Sequence, residues 1–269
     1  MSAADKLFAG SIPEIYDSLL VPLIFEVYAR DLAARVARLA PRDVLETAAG
    51  TGAATRALVS QLSPQCRIVA SDLNQPMLDR AATKPALAGR VTFRQADALA
   101  LPFGDGTFDV VACEFGVMFF PDRIKGYREA RRALKPRGHL LFNVWDKIGA
   151  NDFANTVHEA VAALFPNDPP AFLARTPHGY HDIEKICEDL KAAGFAEISA
   201  ETIDHLSKAA SPREAAVAFC QGTPLRNEIE SRSASLEVVT VAAAAALAKR
   251  FGSGPIEGRI RAHVITASD

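Results

Sequence analysis

The chain has 269 residues and carries 30 lysines and arginines against 32 aspartates and glutamates, a net charge of -2. That mixed balance leaves no basic footprint for nucleic acid, and four cysteines without paired spacing read as reduced core thiols rather than a disulfide or metal scaffold. The longest apolar run, residues 238–247, is about half of a membrane span, and no signal-type leader is visible, so a cytoplasmic protein with no membrane partner is expected.

In chain order, Ser11 and Glu14 have capping-box spacing. They predict a helix from Ile12, broken at Val21-Pro22 before a second helix to about Leu39. Residues 42–46 form a short buried-strand pattern that runs through Glu46 into Thr47-Ala48-Ala49-Gly50-Thr51-Gly52, and 53–62 has helical spacing. Gly50 and Gly52 allow a tight turn, and a ligand there is expected to meet the free N–H groups of the helix. A second strand, 66–71, ends at Asp72, where a carboxylate can take both hydroxyls of a ribose. A third, 91–95, leads to Asp97, placed to accept from an exocyclic amine such as that of adenine. A fourth, 108–113, delivers Glu114 and Phe115 to the same crevice. Asp122 caps a helix that stops at Leu134, and 135–138 turns the chain into a fifth strand, 139–145.

Beyond Trp145 the pattern is helix over 151–165, then a proline-rich irregular stretch that reads as a candidate lid. Helix returns over 182–193 with Gly194 as its stop, and 197–205 alternates like a strand. Ser211-Pro212-Arg213-Glu214 and Thr223-Pro224 each start a helix, 235–251 makes a third, and 259–266 is a final strand. His178 and His181 have the spacing of a metal pair but no third ligand at a supporting distance, so no metal is expected. His139 and His263 read as structural, while His205 is a candidate acceptor-side base beside the plainer reading of a surface or core histidine.

A dinucleotide turn needs a third glycine, and that position falls on Thr55. Glu46 would also repel a pyrophosphate, whereas it suits a cation. S-adenosylmethionine (SAM) carries an ammonium and a sulfonium, so the acidic turn favours it over a nicotinamide cofactor.

The succession over roughly residues 43–144 resembles the class I SAM-dependent methyltransferases, in particular the small-molecule, quinone-biosynthesis type. The resemblance implies an α/β, Rossmann-like fold: a seven-stranded, mostly parallel sheet flanked by helices, with a helical cap made by insertions. With it, 1–40 are expected as N-terminal helices over the cofactor and 41–149 as the SAM-binding core, while the chain's own pattern makes 150–181 a lid. Residues 182–206 and 257–269 are expected as the remaining core, and 207–256, where the chain departs from the family pattern, as a helical cap. In the family's acidic-x-G-x-G-x-G turn, Glu46 takes the acidic position and Ala48, Gly50 and Gly52 the glycine positions. Ala48 departs from the pattern and is expected to keep a negative φ. By the same resemblance Asp72 holds the ribose, Leu73 and Met77 flank the adenine, and Asp97 with Ala98 reads its edge. Glu114 and Phe115 face the methionine part and the acceptor, and Tyr16 closes over the cofactor.

The expected reaction is in-line methyl transfer to a small, apolar or aromatic acceptor, for which Phe115, Met118, Phe119, Phe120, Phe172 and Tyr180 are candidate lining. Glu114 is the leading candidate base, beside a role that only orients the methionine ammonium. A nucleic-acid methyltransferase and a SAM-binding regulatory protein without turnover are the alternative readings; the oligomeric state, monomer or homodimer, is left open.

Overall fold

Apolar runs alternate with amphipathic helices through the first half of the chain, and the runs assemble as parallel strands. They are β1 (Asp43–Thr47), β2 (Arg67–Asp72), β3 (Val91–Gln95), β4 (Phe108–Glu114) and β5 (Leu134–Trp145). With β6 (Glu197–Ala209) and β7 (Ile256–Ser268) they make a seven-stranded sheet in the order β3-β2-β1-β4-β5-β7-β6, mixed but mostly parallel as expected. The strand order reverses between β1 and β4, the point at which open α/β sheets leave a crevice at their carboxyl ends.

The structure is a computed structural model that describes residues 10–269, so residues 1–9 of the expected N-terminal helices lie outside the described residues. The helices are α1 (Ile12–Ile15), α2 (Glu26–Arg38), α3 (Ala53–Gln61), α4 (Gln75–Ala82), α5 (Arg123–Ala133), α6 (Asp152–Ala163), α7 (Phe172–Arg175), α8 (Ile183–Ala193), α9 (Pro212–Gln221), α10 (Leu225–Ser231) and α11 (Leu236–Phe251). The chain divides into two compact units. One comprises Glu26–Val144, His181–Ile203 and Ala262–Asp269; the other comprises the described residues up to Phe25, Trp145–Tyr180 and Asp204–Arg261.

In the first unit, alternate strand residues Val44, Ile68, Val110, Ala112 and Leu141 share one core with Leu32, Val36 and Leu58 of α2 and α3. The strand amino ends are tied by charge. Asp109 accepts the N–H groups of Arg42 and Asp43 at 2.9 and 2.8 Å, and Lys135 reaches Asp43 and Asp109 at 2.7 and 2.9 Å. β5 starts at Leu134 rather than at His139, because residues 135–138 stay in the strand through an irregular register opposite Phe108 and Val110.

In the second unit α6, α9 and α11 pack on one another, and the segment Tyr16–Phe25 packs on α9. Two sequence expectations fail here. The chain does not break at Val21-Pro22: Tyr16–Phe25 is π-helical, and its wider turns absorb Pro22, which has no N–H to donate. Ser11 does not cap α1, because its own backbone is already helical and its hydroxyl accepts from Arg226 Nη1 at 2.7 Å. The expected lid and cap segments lie largely in this unit; α7 interrupts the irregular stretch, and His178 Nδ1 meets the Asp146 carbonyl oxygen at 2.8 Å. Among the described residues no helix is long and apolar enough to cross a membrane.

Other caps follow the sequence. Asp122 accepts from the Lys125 N–H at 2.9 Å, and Asp182 from the Glu184 and Lys185 N–H groups at 2.9 and 3.3 Å. Ser211 accepts from the Glu214 N–H at 3.2 Å, while Glu214 Oε1 takes the Ala210 N–H at 3.1 Å. Ser211→Ala should therefore lower stability by about 1 kcal/mol in urea denaturation, with the slope of the transition unchanged.

Candidate functional site

β1 ends at Thr47, and the next residues fold back to start α3. Ala48, Gly50 and Gly52 take φ of 53°, 56° and 85°. The Ala49 N–H donates to the Ser71 carbonyl and the Gly52 N–H to the Ala49 carbonyl, both at 2.9 Å, which closes the turn. Ala48 thus corrects the expectation of a negative φ: it sits in the left-handed region, at a cost of about 1–2 kcal/mol. Gly116 makes room for its methyl, since a Cβ on Gly116 would lie 2.4 Å from the Ala48 Cβ. Gly52 is needed for space as well as for conformation, because a Cβ there would meet Ala81 Cβ at 3.2 Å and Leu87 Cδ1 at 3.3 Å. Met77 reaches the turn: a Cβ on Gly50 would stand 3.6 Å from its Cε.

Three carboxyls surround this turn. Glu46, 1% exposed, accepts from Thr55 Oγ1 at 2.6 Å and from the Thr55 N–H. Burial, reinforced by the charge of Asp72, pushes the Glu46 carboxyl up to about 8 against the pull of Thr55 and Arg56. Glu114 accepts the Ala54 N–H; its Oε1 is buried and has no hydrogen-bond partner. Burial and then Glu46 hold the Glu114 carboxyl well above its ordinary range. The Glu46 and Glu114 carboxyls thus stand against amide groups in the first turn of α3, whose own N-cap, Gly52, has no side chain to offer them. Asp72 accepts the Gly50 N–H on Oδ2 at 2.9 Å and, on Oδ1, the Asn74 N–H at 2.7 Å and its side-chain amide at 3.3 Å. Burial raises its carboxyl too, despite these bonds.

At the ends of β2 and β3, Gln95 Nε2 donates to the Leu73 carbonyl at 2.9 Å, and the Leu73 side chain is exposed. Asp97 is exposed, with Oδ1 holding the Leu99 N–H at 2.9 Å, and Ala98 is half-buried. After β4, Phe115 is buried at a φ of 50° and meets Tyr28 edge-on at 5.4 Å. The first unit thus gathers Glu46, Ala48, Gly50, Gly52, Asp72, Met77, Glu114 and Phe115 around one turn. Tyr16 and His205 belong to the second unit, Tyr16 against Phe25 at 5.2 Å and His205 half-buried on β6. The sequence reading missed roles for Thr55, Gly116 and Asn143. Thr55 had one signal, a hydroxyl residue where a glycine would be expected in a dinucleotide turn.

Two variants test this geometry. Ala48→Gly should raise stability by about 1 kcal/mol in chemical denaturation, whereas Gly116→Ala should lower it by driving a methyl into Ala48. The folded Glu46 carboxyl keeps its proton to about pH 8 and the ordinary one only to 4.5, so the folded state binds more protons between those values. Stability without ligand should therefore fall as pH rises from about 4.5 to about 8, and Glu46→Gln should flatten that slope in melts taken across the range.

Buried carboxyls, one oxygen of them unpartnered, fit a ligand that brings positive charge. Comparisons with known proteins point the same way. Residues 44–138 match the family model described as a methyltransferase domain. A demethylmenaquinone methyltransferase of Deinococcus radiodurans is 32% identical over 206 residues, covering 72% of this chain and 85% of that protein. A ubiquinone/menaquinone biosynthesis C-methyltransferase of Ectopseudomonas mendocina is 34% identical over 170 residues, 58% of this chain and 66% of its own. A putative methyltransferase from Bacillus halodurans shares the fold, with a TM-score of 0.57 at 20% identity over 88% of this chain and 97% of its own. The acidic turn, the strand order and these likenesses coincide: the chain belongs to the small-molecule type of class I SAM-dependent methyltransferases.

Proposed function

We propose that the enzyme methylates a small, apolar, quinone- or phenol-type acceptor by direct in-line displacement, and that the carboxyl cluster at the β1–α3 turn holds the cofactor. The observation that carries this reading is the buried pair Glu46 and Glu114, whose carboxyls have neighbours suited to a cation. Bound there, SAM would supply a sulfonium methyl whose leaving sulfur keeps the bonding electron pair when the acceptor's nucleophilic atom is methylated. With so good a leaving group, the protein's part is alignment and exclusion of water, worth up to roughly 7–11 kcal/mol.

The residue roles follow from placement. Asp72 Oδ1 already takes both Asn74 groups, but Oδ2 keeps a lone pair beyond the Gly50 N–H, and with it Asp72 accepts a ribose hydroxyl. Asp97 and Ala98 read the adenine edge, and Leu73, exposed at the end of β2, flanks the ring with Met77. Glu114 orients the methionine ammonium with Glu46 in support, and Phe115 faces the acceptor. The relatives' names supply the acceptor class, since they act in demethylmenaquinone and ubiquinone/menaquinone chemistry. A carbon acceptor needs a base for the proton that the new bond displaces. Four unpaired cysteines, three of them buried, suit the cytoplasm.

Asp72→Ala should remain folded and lose on the order of 100-fold in SAM affinity by calorimetry; parent-like affinity would remove Asp72 from the site. Glu114→Gln should weaken SAM binding while single-turnover rates at saturating SAM stay near those of the parent. Unchanged SAM affinity with turnover down roughly 100- to 10,000-fold would instead assign Glu114 as the base.

A further inference from the structure

Asn143 is fully buried on β5, yet neither its amide oxygen nor its amide nitrogen has a hydrogen-bond partner. Leaving such a group unpaired destabilises the fold, and the neighbouring positions, Leu140, Leu141, Phe142 and Val144, are all apolar. The register partner of Asn143 on β4 is Glu114, whose Oε1 is also buried and unpartnered. Residues in register on parallel strands stand on the same face, and adjacent strands lie about 4.8 Å apart. Amide and carboxyl therefore stand on the same face of adjacent strands without a direct hydrogen bond.

We propose that Asn143 is a positioning residue for Glu114, the two side chains sharing one internal water that fixes the orientation of the carboxyl. Glu114 Oε1 and the two Asn143 amide atoms supply three polar partners, within the range that keeps a buried water in place. The inference rests on the reading of Glu114 as the carboxyl that meets the cofactor's ammonium. It explains how one oxygen of Glu114 is steered while the carboxyl also takes the Ala54 N–H.

The pairing has a proton consequence. Glu46 on β1 and Glu26 on α2 disfavour the ionised form of Glu114, while Arg56 and the Ala54 N–H on α3 favour it. A water that receives the Asn143 N–H and donates to Glu114 favours ionisation as well, without adding charge. Asn143→Leu removes that water's donor, so Glu114 should hold its proton to higher pH and SAM should bind well only at higher pH.

The test is SAM affinity by calorimetry from pH 6 to 9 for the parent, Asn143→Leu and Asn143→Ser, the last keeping a hydroxyl and room for the water. In the leucine variant the midpoint of the profile should rise by about one unit, with roughly tenfold weaker binding below it and parent-like binding above it. The serine variant should keep the parent's midpoint. In a Glu114→Gln background Asn143→Leu should move nothing. A leucine variant that binds SAM with an unmoved midpoint, or a shift that persists without the carboxyl, overturns the proposal. If the leucine variant does not fold, a high-resolution crystal structure of the parent decides: water density within hydrogen-bond distance of both side chains supports the pairing, and its absence overturns it. A parent that binds no SAM would remove the cofactor reading of Glu114, while the water would still decide the pairing.

Discussion

The carboxyl ends of β1 and β4 depend on one arrangement: the side chains of Glu46 and Glu114 take amide groups in the first turn of α3. A helix start exposes donors that must be satisfied and carries partial positive charge, so two strand-borne carboxyls are natural caps for it. The same contacts join β1, the glycine turn, α3 and β4 into one assembly. Because the carboxyls are buried with one another, they cannot all ionise cheaply without a cation. On the proposed reading, this structural cap doubles as a receptor for positive charge.

The opposite ends of the strands show what the protein does with carboxylates that have no ligand to wait for. Burial opposes ionisation of Asp43 and Asp109, yet Lys135, with Arg67 at Asp43 and the backbone N–H groups at Asp109, holds both below the usual carboxylate range. There the acidic groups are neutralised within the chain. At the carboxyl ends Glu46 and Glu114 are raised instead, an asymmetry along the same strands that the proposed cofactor site would use.

Among the described residues, two of the five non-glycine positions with positive φ fall at the same place. Ala48 and Phe115 both adopt positive φ, one after β1 and the other after β4, and both abut Gly116, by space in the first case and by sequence in the second. Residues in this region are tolerated where packing over-determines them, and Gly116 supplies that packing by presenting bare backbone to the Ala48 methyl. The alanine in the glycine turn is thus compensated by a glycine on another strand's loop.

The sheet, its parallel order and the family were legible in the sequence, because strand and helix periodicity, the glycine turn and acidic residues at successive strand ends are local signals. Helix caps at Asp122 and Ser211 were legible for the same reason. The π-helical passage through Pro22 was not: a proline's effect depends on what packs around the helix that carries it. Nor was the positive φ of Ala48, which rests on Gly116, or the pairing of Thr55 with Glu46, which hides behind the missing third glycine. By itself the sequence determined which residues carry charge and where strands end. Only the tertiary structure decided which carboxyls share a buried space, which amides they occupy and which polar atoms they leave unsatisfied, since burial and strand register arise from residues far apart in the chain.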